Sequence, residues 1–341
     1  MNRFKDRGRI EDICRWADVP KSSFYYKSHP GPRGMKASTQ TPKGELMVEN
    51  SEVIEEIRSV LGRDYCIYGY KIMTFELRAL GYLINKKKVY RLMKENRLLC
   101  SYVIKTQGKR QWVKFRRIQA TRPMEYLCLD IKYVWVSGEG RWYYQLAILD
   151  VFSRRVIGWL FQRSLRQYDV IGLMRTLDLQ FGLKGVIIRN DNGSQFIAHK
   201  VRQALVDMEA RQEFTHVATP EENAYIESFH SIEQHELMDR FEFMSYYDAR
   251  RHISRYMYWY NHLRRHGSLN GLTPVEKWTQ GWIYSPAEQG SVAFEKWMKN
   301  QPLCKGLENV KSDNQLYLNE NQNEDQSLLN SFAKNVQFIG G

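Results

Sequence analysis

The order of strand-like and helix-like segments between residues 124 and 240 constrains the fold more than any other feature of this sequence. Three segments rich in β-branched and aromatic residues come first, and helical and strand patterns then alternate. The strand-like segments are residues 126–136, 142–150, 155–160, 186–189 and 213–217, and the helical ones are residues 168–181, 195–208 and 222–239. This order predicts an α/β fold in which an antiparallel meander and later crossover strands form one mixed, five-stranded sheet with flanking helices.

Composition divides the chain into four regions. Residues 1–45 predict a short helical N-terminal region followed by a linker, because residues 28–44 are rich in Pro, Gly and Ser. Residues 46–120 predict an all-α helix-turn-helix region and a basic arm, and residues 121–282 predict the α/β core with a C-terminal helical extension. Residues 283–341 are polar and rich in Asn and Gln, so we expect a flexible tail.

The positive charge of the chain is concentrated in its first third. The formal net charge is +13, and residues 1–120 contain 26 Lys and Arg against 12 Asp and Glu. Such an excess predicts a polyanionic partner, and we expect DNA because phosphate neutralisation supplies most sequence-independent affinity. A solvated basic surface is the alternative.

A strongly basic helix is predicted after Asn85, which is a suitable N-cap. A basic helix that follows a tight turn suits a phosphate backbone or a major groove, whereas an ordinary exposed helix face is the alternative. The candidate DNA-binding residues lie on this helix and in the basic arm at residues 105–117. They are Lys86, Lys87, Lys88, Arg91, Lys94, Arg110 and Lys114.

The sequence predicts neither a membrane span nor a secretory signal. No apolar run reaches the roughly 18–20 residues that a bilayer requires. The first 16 residues lack the apolar stretch of a signal peptide. We therefore expect a cytoplasmic protein with no membrane partner.

Three carboxylates stand where the predicted sheet would bring them together. Asp130 lies within an apolar strand, Asp191 directly follows another strand, and Glu227 lies in a helix. Charge inside a strand is costly without compensation, and strand ends are favoured ligand sites. Converging carboxylates need a cation, and oxygen ligands without His or Cys select Mg²⁺ or Mn²⁺. Two such ions about 3.5–4 Å apart would act on a phosphodiester. The alternative is that each carboxylate is a turn, cap or surface residue.

Several other polar residues have two interpretations. Asp150 is either a fourth acidic ligand or the cap of a turn that anchors Arg154 or Arg155. His230, three residues after Glu227, either touches DNA near the metals or is structural. A group of residues near the end of the core also has two interpretations: it either binds DNA or holds the last helix to the core. These residues are Tyr260, Asn261, Arg264, Arg265 and His266.

Five ordered motifs and one spacing resemble a known family. Asp191 and Glu227 are separated by 35 residues, the D, D, 35, E pattern of retroviral integrases and related transposases. The motifs are LDIKYVWV, LAILDVFSRRVIGW, NDNGSQF, TPEENAYIESFH and YNHLRRHGSLNGLTPVEKW. Over residues 9–282 the chain resembles the second-reading-frame (OrfB-type) product of bacterial insertion sequences of the insertion-sequence-3 family, including that family's helix-turn-helix segment.

The resemblance implies a ribonuclease-H-like core and a DNA-cutting and DNA-joining enzyme. Asp130, Asp191 and Glu227 match the family's catalytic, metal-binding positions, and the implied cofactor is Mg²⁺ or Mn²⁺, as two ions. Such enzymes cut at the element's end and join the freed 3′-hydroxyl to a target DNA, without a covalent protein intermediate. The implied state is a homo-oligomer on double-stranded DNA in the bacterial cytosol or nucleoid, either alone or with an upstream-frame protein. A nuclease without strand transfer and a non-catalytic DNA-binding regulator are the alternatives.

One departure from the family pattern concerns DNA contacts. Gln234 stands seven residues after Glu227, where family members often carry Lys or Arg. The difference bears on a phosphate or terminal-base contact and leaves the metal-binding positions intact.

We expect that removal of residues 290–341 leaves folding and DNA cleavage largely unchanged, because this segment is polar and has no apolar periodicity. The full chain and the chain ending at residue 289 are compared by thermal unfolding and by cleavage of a labelled DNA duplex. Aggregation of the shortened chain, or cleavage by the full chain alone, contradicts the expectation.

Overall fold

A computed structural model describes residues 8–21, 25, 38–100, 118–215 and 223–283. The first helix, α1 (Ile10–Trp16), lies where the apolar spacing predicts it. An antiparallel hairpin follows, formed by β1 (Gln40–Lys43) and β2 (Leu46–Glu49) and closed by a turn at Gly44 with a positive φ of 57°. Three helices complete the N-terminal part: α2 (Asn50–Leu61), α3 (Tyr70–Ala79) and α4 (Lys86–Glu95).

The linker prediction is wrong for residues 40–43, which form β1. The reason is a set of contacts from far along the chain that composition does not reveal. The N–H of Leu83 donates to the carbonyl of Pro42 at 2.8 Å, and Lys43 forms an isolated antiparallel bridge with Tyr82. The segment before α4 thus acts as a third strand beside the hairpin.

The α/β core begins at residue 126. Its strands are β3 (Tyr126–Val136), β4 (Arg141–Asp150), β5 (Val156–Gln162), β6 (Ile187–Asn190) and β7 (Arg211–Phe214). Its helices are α5 (Gln167–Phe181), α6 (Ser194–Ile197), α7 (His199–Asp207), α8 (Ala224–Glu233), α9 (Tyr246–His262) and α10 (Pro274–Ile283). A π-helical turn, Gln234–Met238, follows α8 directly.

The five strands form one mixed sheet in the order β5-β4-β3-β6-β7. β3, β4 and β5 are antiparallel neighbours, whereas β6 runs parallel to both β3 and β7. The predicted mixed five-stranded sheet with flanking helices, preceded by a helical DNA-binding-type region, is confirmed. The single helix predicted at residues 195–208 is wrong in detail, because Ala198 adopts an extended ψ of 132° and separates α6 from α7.

Strand alternation gives the sheet two apolar faces. Leu127 and Leu129 of β3 belong to the cluster that also contains residues of α5 and α10. Cys128 and Val134 belong to the opposite cluster, with residues of α8 and α9. This second cluster continues into α2, α3 and α4, so the N-terminal helices and the α/β core share one apolar core.

Tyr65 connects the N-terminal helices to α9. It has a positive φ of 63°, and its ring lies 5.4 Å from Tyr256 and 5.8 Å from Trp259. Aromatic pairs at such distances contribute beyond their buried area. The two parts of the chain are therefore held together by apolar packing as well as by the polar contacts that follow.

A buried ion pair fixes the segment after α9. Arg264 donates from Nε and Nη2 to the Glu236 carboxylate at 2.8–3.0 Å, and Tyr256 donates to the same carboxylate at 3.1 Å. Arg265 pairs with Glu76 of α3 and Glu276 of α10. Removing one partner of such a pair leaves an uncompensated buried charge.

The residues near the end of the core, for which the sequence allowed either DNA contact or a structural role, make structural contacts. Asn261 bridges to β5, accepting from the N–H of Val156 and donating to its carbonyl, both at 2.9 Å. Tyr260 and His266 are buried, and burial lowers the pKa of His266. With Arg264 and Arg265 in ion pairs, these side chains hold the end of the core in place.

Within the described residues, no helix is long and apolar enough to cross a membrane.

We expect Arg264→Met to lower the free energy of unfolding by roughly 3–5 kcal/mol, because it leaves Glu236 charged and buried. Urea unfolding at neutral pH measures the effect, with Arg255→Met as the control because Arg255 is exposed on the preceding helix, α9. The double variant Arg264→Met/Glu236→Leu should recover most of the loss. Equal stability of wild type and Arg264→Met would show that the pair does not hold this segment.

Candidate active site

The parallel pairing of β3 and β6 aligns two of the three predicted carboxylates. Cys128 of β3 is in register with Arg189 of β6, and Asp130 and Asp191 each stand two residues further along. Both carboxylates therefore project from the same end of adjacent strands, where α/β proteins usually bind ligands.

Asp130 is half-buried, with 26% of its side chain exposed. Burial raises the pKa of Asp130 above its ordinary value, and the Asp191 carboxylate raises it further. His230 and the Ile131 N–H, which donates to Asp130 Oδ1 at 2.8 Å, act in the opposite direction.

Asp191 begins a tight turn between β6 and α6. Its Oδ1 accepts from the N–H of Gly193 at 3.0 Å. A Cβ on residue 193 would lie 3.0 Å from that same oxygen and 3.3 Å from Phe196, so glycine allows the close backbone approach expected here. The Asp191 side chain is exposed and can accept a ligand.

Glu227 lies on α8, which packs on β3 and β4 through the buried Ile226 and Phe229. Its side chain is exposed. His230 is one turn further along the same side of the helix, and its Nε2 lies 3.6 Å from Asp130 Oδ2. The helix thus carries Glu227 towards the end of the sheet that holds Asp130.

A groove of about 860 Å³ opens beside Asp130. β3 forms one wall with residues 130–135, and the segment at residues 238–243 forms the other. His230 and Gln234 contribute from α8 and the π-helical turn that follows it. The groove gives an extended ligand access to Asp130.

The described residues contain no group of three His, Cys, Asp or Glu side chains arranged to hold a metal ion. The donors nevertheless fit a hard divalent cation in kind. Asp130 is partly desolvated, has a carboxylate neighbour, and lies beside His230 Nε2, a buried nitrogen without a hydrogen-bond partner in the described part of the chain. Carboxylate oxygens of this type bind Mg²⁺ and Mn²⁺.

Asp150 is the cap of a turn, as one of its two interpretations predicts. Its side chain is fully buried at the end of β4 and accepts from the N–H of Met124 at 2.9 Å. It also accepts from the N–H and hydroxyl of Ser153 at 2.7 and 2.6 Å. Burial raises the pKa of Asp150 to about 6, against the effect of these donors.

The five candidate DNA-binding residues of the basic helix divide into two groups. Lys86, Lys87 and Lys94 are exposed on α4. Lys88 and Arg91 instead donate to backbone carbonyls at Gln40 and Ser38, and so hold the hairpin against the helix. The predicted N-cap is confirmed, because the Asn85 side chain accepts from the N–H of Lys88 at 2.9 Å. Arg110 and Lys114 lie outside the described residues.

A buried polar cluster next to Asp130 was not expected from the sequence. It consists of Lys132, Gln145 and Glu233, which lie on β3, β4 and α8. Strand alternation offers a partial signal, because Lys132 is two residues after Asp130 and therefore on the same face. Gln145 gives no such signal, since only the register of β4 brings it to Glu233.

Comparison with known proteins gives consistent matches along the chain. Residues 120–220 and 208–274 match two family models described as integrase core domain, and residues 49–106 match a model described as HTH-like domain. The chain is 26% identical over 299 residues to the putative transposase InsK for insertion sequence element IS150 of Escherichia coli (strain K12), covering 83% of this chain and 98% of that protein.

Two further similarities are one in sequence and one in structure. The transposase for insertion sequence element IS904 of Lactococcus lactis subsp. lactis (strain IL1403) is 29% identical over 247 residues, with 67% of this chain and 94% of that protein covered. The catalytic core domain of BIV integrase aligns with a TM-score of 0.36 at 14% identity, over 46% of this chain and 95% of that one.

We expect Asp150→Asn to lower the free energy of unfolding by roughly 1–3 kcal/mol, because at least one buried donor then faces an amide NH₂. Its affinity for Mn²⁺, measured on the folded protein, should match the wild type. Asp207→Asn, an exposed change on α7, is the control for both measurements. A loss of Mn²⁺ affinity without a loss of stability would instead make Asp150 a metal ligand.

Proposed function

Since this chain belongs to the insertion-sequence-3 family of bacterial transposases, as a second-reading-frame type, we propose that Asp130, Asp191 and Glu227 form the metal-binding site with which it cuts and joins DNA. The enzyme is thus a DDE-type polynucleotidyl transferase. One observation carries the assignment. Asp130 on β3 and Asp191 directly after β6 each lie two residues beyond the paired Cys128 and Arg189, and α8 contacts Asp130 one turn after Glu227.

The chemistry follows from the oxygen donors of the three side chains. Two Mg²⁺ or Mn²⁺ ions, when bound, would activate the attacking oxygen and stabilise the leaving oxygen of a phosphodiester. Asp130, Asp191 and Glu227 hold the cations, and the groove along β3 receives the DNA strand. Hydrolysis at the element's end forms one P–O bond to a water oxygen and breaks the P–O bond to the 3′-oxygen, which takes up a proton and becomes a free 3′-hydroxyl. Attack of that hydroxyl on a target phosphate then forms one P–O bond and breaks another.

DNA binding is assigned to the N-terminal helices and the basic arm. The exposed Lys86, Lys87 and Lys94 supply phosphate contacts from α4, and Arg110 and Lys114 supply them from the arm. Lys88 and Arg91 are also candidate DNA-binding residues, and they contribute in part by holding the β1–β2 hairpin against α4. The enzyme works as a homo-oligomer on element ends and target DNA in the bacterial cytosol or nucleoid, alone or with an upstream-frame protein.

We expect Asp130→Asn, Asp191→Asn and Glu227→Gln each to reduce cleavage and joining to background while DNA binding persists. Each change keeps the shape of the side chain and removes the negative charge that holds a cation. Double variants should be hardly worse than single ones, because the three residues act as one unit. The measurement is cleavage and strand transfer on a labelled duplex with the element's own end, beside a binding assay on the same duplex.

Asp207→Asn is the matched control, since it removes an exposed carboxylate elsewhere on the core. Chelation should abolish activity, and Mg²⁺ or Mn²⁺ should restore it better than Ca²⁺. Cleavage near the wild-type rate by any of the three variants would refute the assignment.

A further inference from the structure

Glu233 is a fully buried carboxylate at the end of α8. Burial of a charge is costly unless partners compensate it. Its Oε1 accepts from Gln145 Nε2 at 2.6 Å. Its Oε2 lies 3.6 Å from Lys132 Nζ and 3.4 Å from His230 Nδ1. Partners from β3, β4 and α8 thus surround one carboxylate.

The contact with Glu233 fixes the ring of His230. Both ring nitrogens of His230 face carboxylate oxygens, which only accept hydrogen bonds, so a ring protonated on both nitrogens directs Nδ1–H at Glu233 and Nε2–H at Asp130. The same lysine that faces Glu233 also donates to the carbonyl of His230 at 3.4 Å. Both the ring and the backbone of His230 are therefore held from the buried side.

The other ring nitrogen of His230 points towards the catalytic end of the sheet. Its Nε2 is buried, has no hydrogen-bond partner among the described residues, and lies 3.6 Å from Asp130 Oδ2. The second oxygen of that carboxylate, Oδ1, accepts from the N–H of Ile131 at 2.8 Å. His230 and Ile131 thus flank the two oxygens of Asp130.

We propose that Glu233 and His230 are positioning residues for Asp130: Glu233 holds the imidazole, and the imidazole holds Asp130 Oδ2 in the orientation that binds a divalent cation. The inference rests on the proposed function of Asp130 as a metal ligand. Groups that orient a metal ligand typically contribute about 10–100-fold in metal affinity or activity. The Glu233–His230 pair is therefore part of the metal site although neither residue needs to touch the metal.

A second His–carboxylate pair in the described part of the chain has no contact with Asp130 and serves as a comparison. His235 and Asp239 lie in the adjacent π-helical turn and make a closer contact, 3.1 Å, between the same kinds of groups. Their side chains are exposed by 68% and 48%. If a His–carboxylate pair acted only on its local surroundings, changes in either pair would alter Mn²⁺ affinity similarly. If Glu233 and His230 position Asp130, only changes in that pair should lower Mn²⁺ affinity.

The test measures Mn²⁺ affinity of the full chain from the electron paramagnetic resonance signal of free Mn²⁺, together with thermal unfolding and cleavage of an end duplex. The variants are His230→Leu, His230→Gln, Glu233→Gln, the double variant His230→Leu/Glu233→Gln, Asp130→Asn and His235→Leu. His230→Leu and Glu233→Gln should each weaken Mn²⁺ binding about 10–100-fold. Saturating Mn²⁺ should restore most of their cleavage rate.

Two comparisons separate positioning from simple packing. His230→Gln keeps an N–H near the place of Nε2 and should retain most of the Mn²⁺ affinity. The double variant should bind Mn²⁺ no more weakly than His230→Leu, because Glu233 acts through the imidazole. His235→Leu should bind Mn²⁺ like the wild type.

Wild-type Mn²⁺ affinity in His230→Leu, with affinity lost in Asp130→Asn, would overturn the inference and leave the proposed function standing. Additive losses in the double variant would overturn it as well. A wild-type chain that neither binds Mn²⁺ nor cleaves DNA would refute the proposed function itself. The His230 variants decide the question alone if Glu233→Gln does not fold, since their thermal unfolding identifies a folded protein.

Discussion

The pairing of β3 with two different neighbours is the constraint on which the candidate active site depends. β4 pairs with β3 from residue 127 to residue 136, whereas β6 pairs with it only over residues 126–128. Beyond residue 128 the sheet opens, because the chain leaves β6 at Asn190 and turns at Asp191. A carboxylate at position 130 is tolerated in an otherwise apolar strand since this opening leaves it half-exposed. The groove and α8 occupy the space so created.

Helix α9 and the segment after it give the chain a second organising element. Apolar packing of Tyr256 and Trp259 against Tyr65 joins the N-terminal helices to the core, and the Arg265–Glu76 pair reinforces that junction. The helix-turn-helix region is therefore not an independent module in this chain. A basic surface on α4 and the carboxylates of the core are parts of one folded unit, so loss of a buried ion pair far from both would affect each of them.

The sequence predicted the regular elements of the core well, because its strand segments are rich in β-branched and aromatic residues, and Asn85 marked the start of α4. It failed where distant residues decide the outcome. β1 depends on residues 82 and 83, and the roles of Asn261 and Arg264 depend on partners 105 and 28 residues away. The register of β3 and β6 agrees with the expected alignment of Asp130 and Asp191, while the assignment of the three carboxylates to one metal site stays a prediction. The cluster around Glu233 was not, since β4 register alone brings Gln145 to it.

Gln234 departs from the family pattern, and its side chain is hydrogen-bonded to a neighbouring residue. The family often has a cation at this position, but here the side chain donates to Asp239 Oδ1 at 2.6 Å within the π-helical turn. The positive charge lining the groove comes instead from Lys132 on β3 and Arg240 after the turn. Lys132 faces the buried carboxylate of Glu233, and burial lowers the pKa of Lys132. Arg240 is exposed and lies on the groove wall opposite β3.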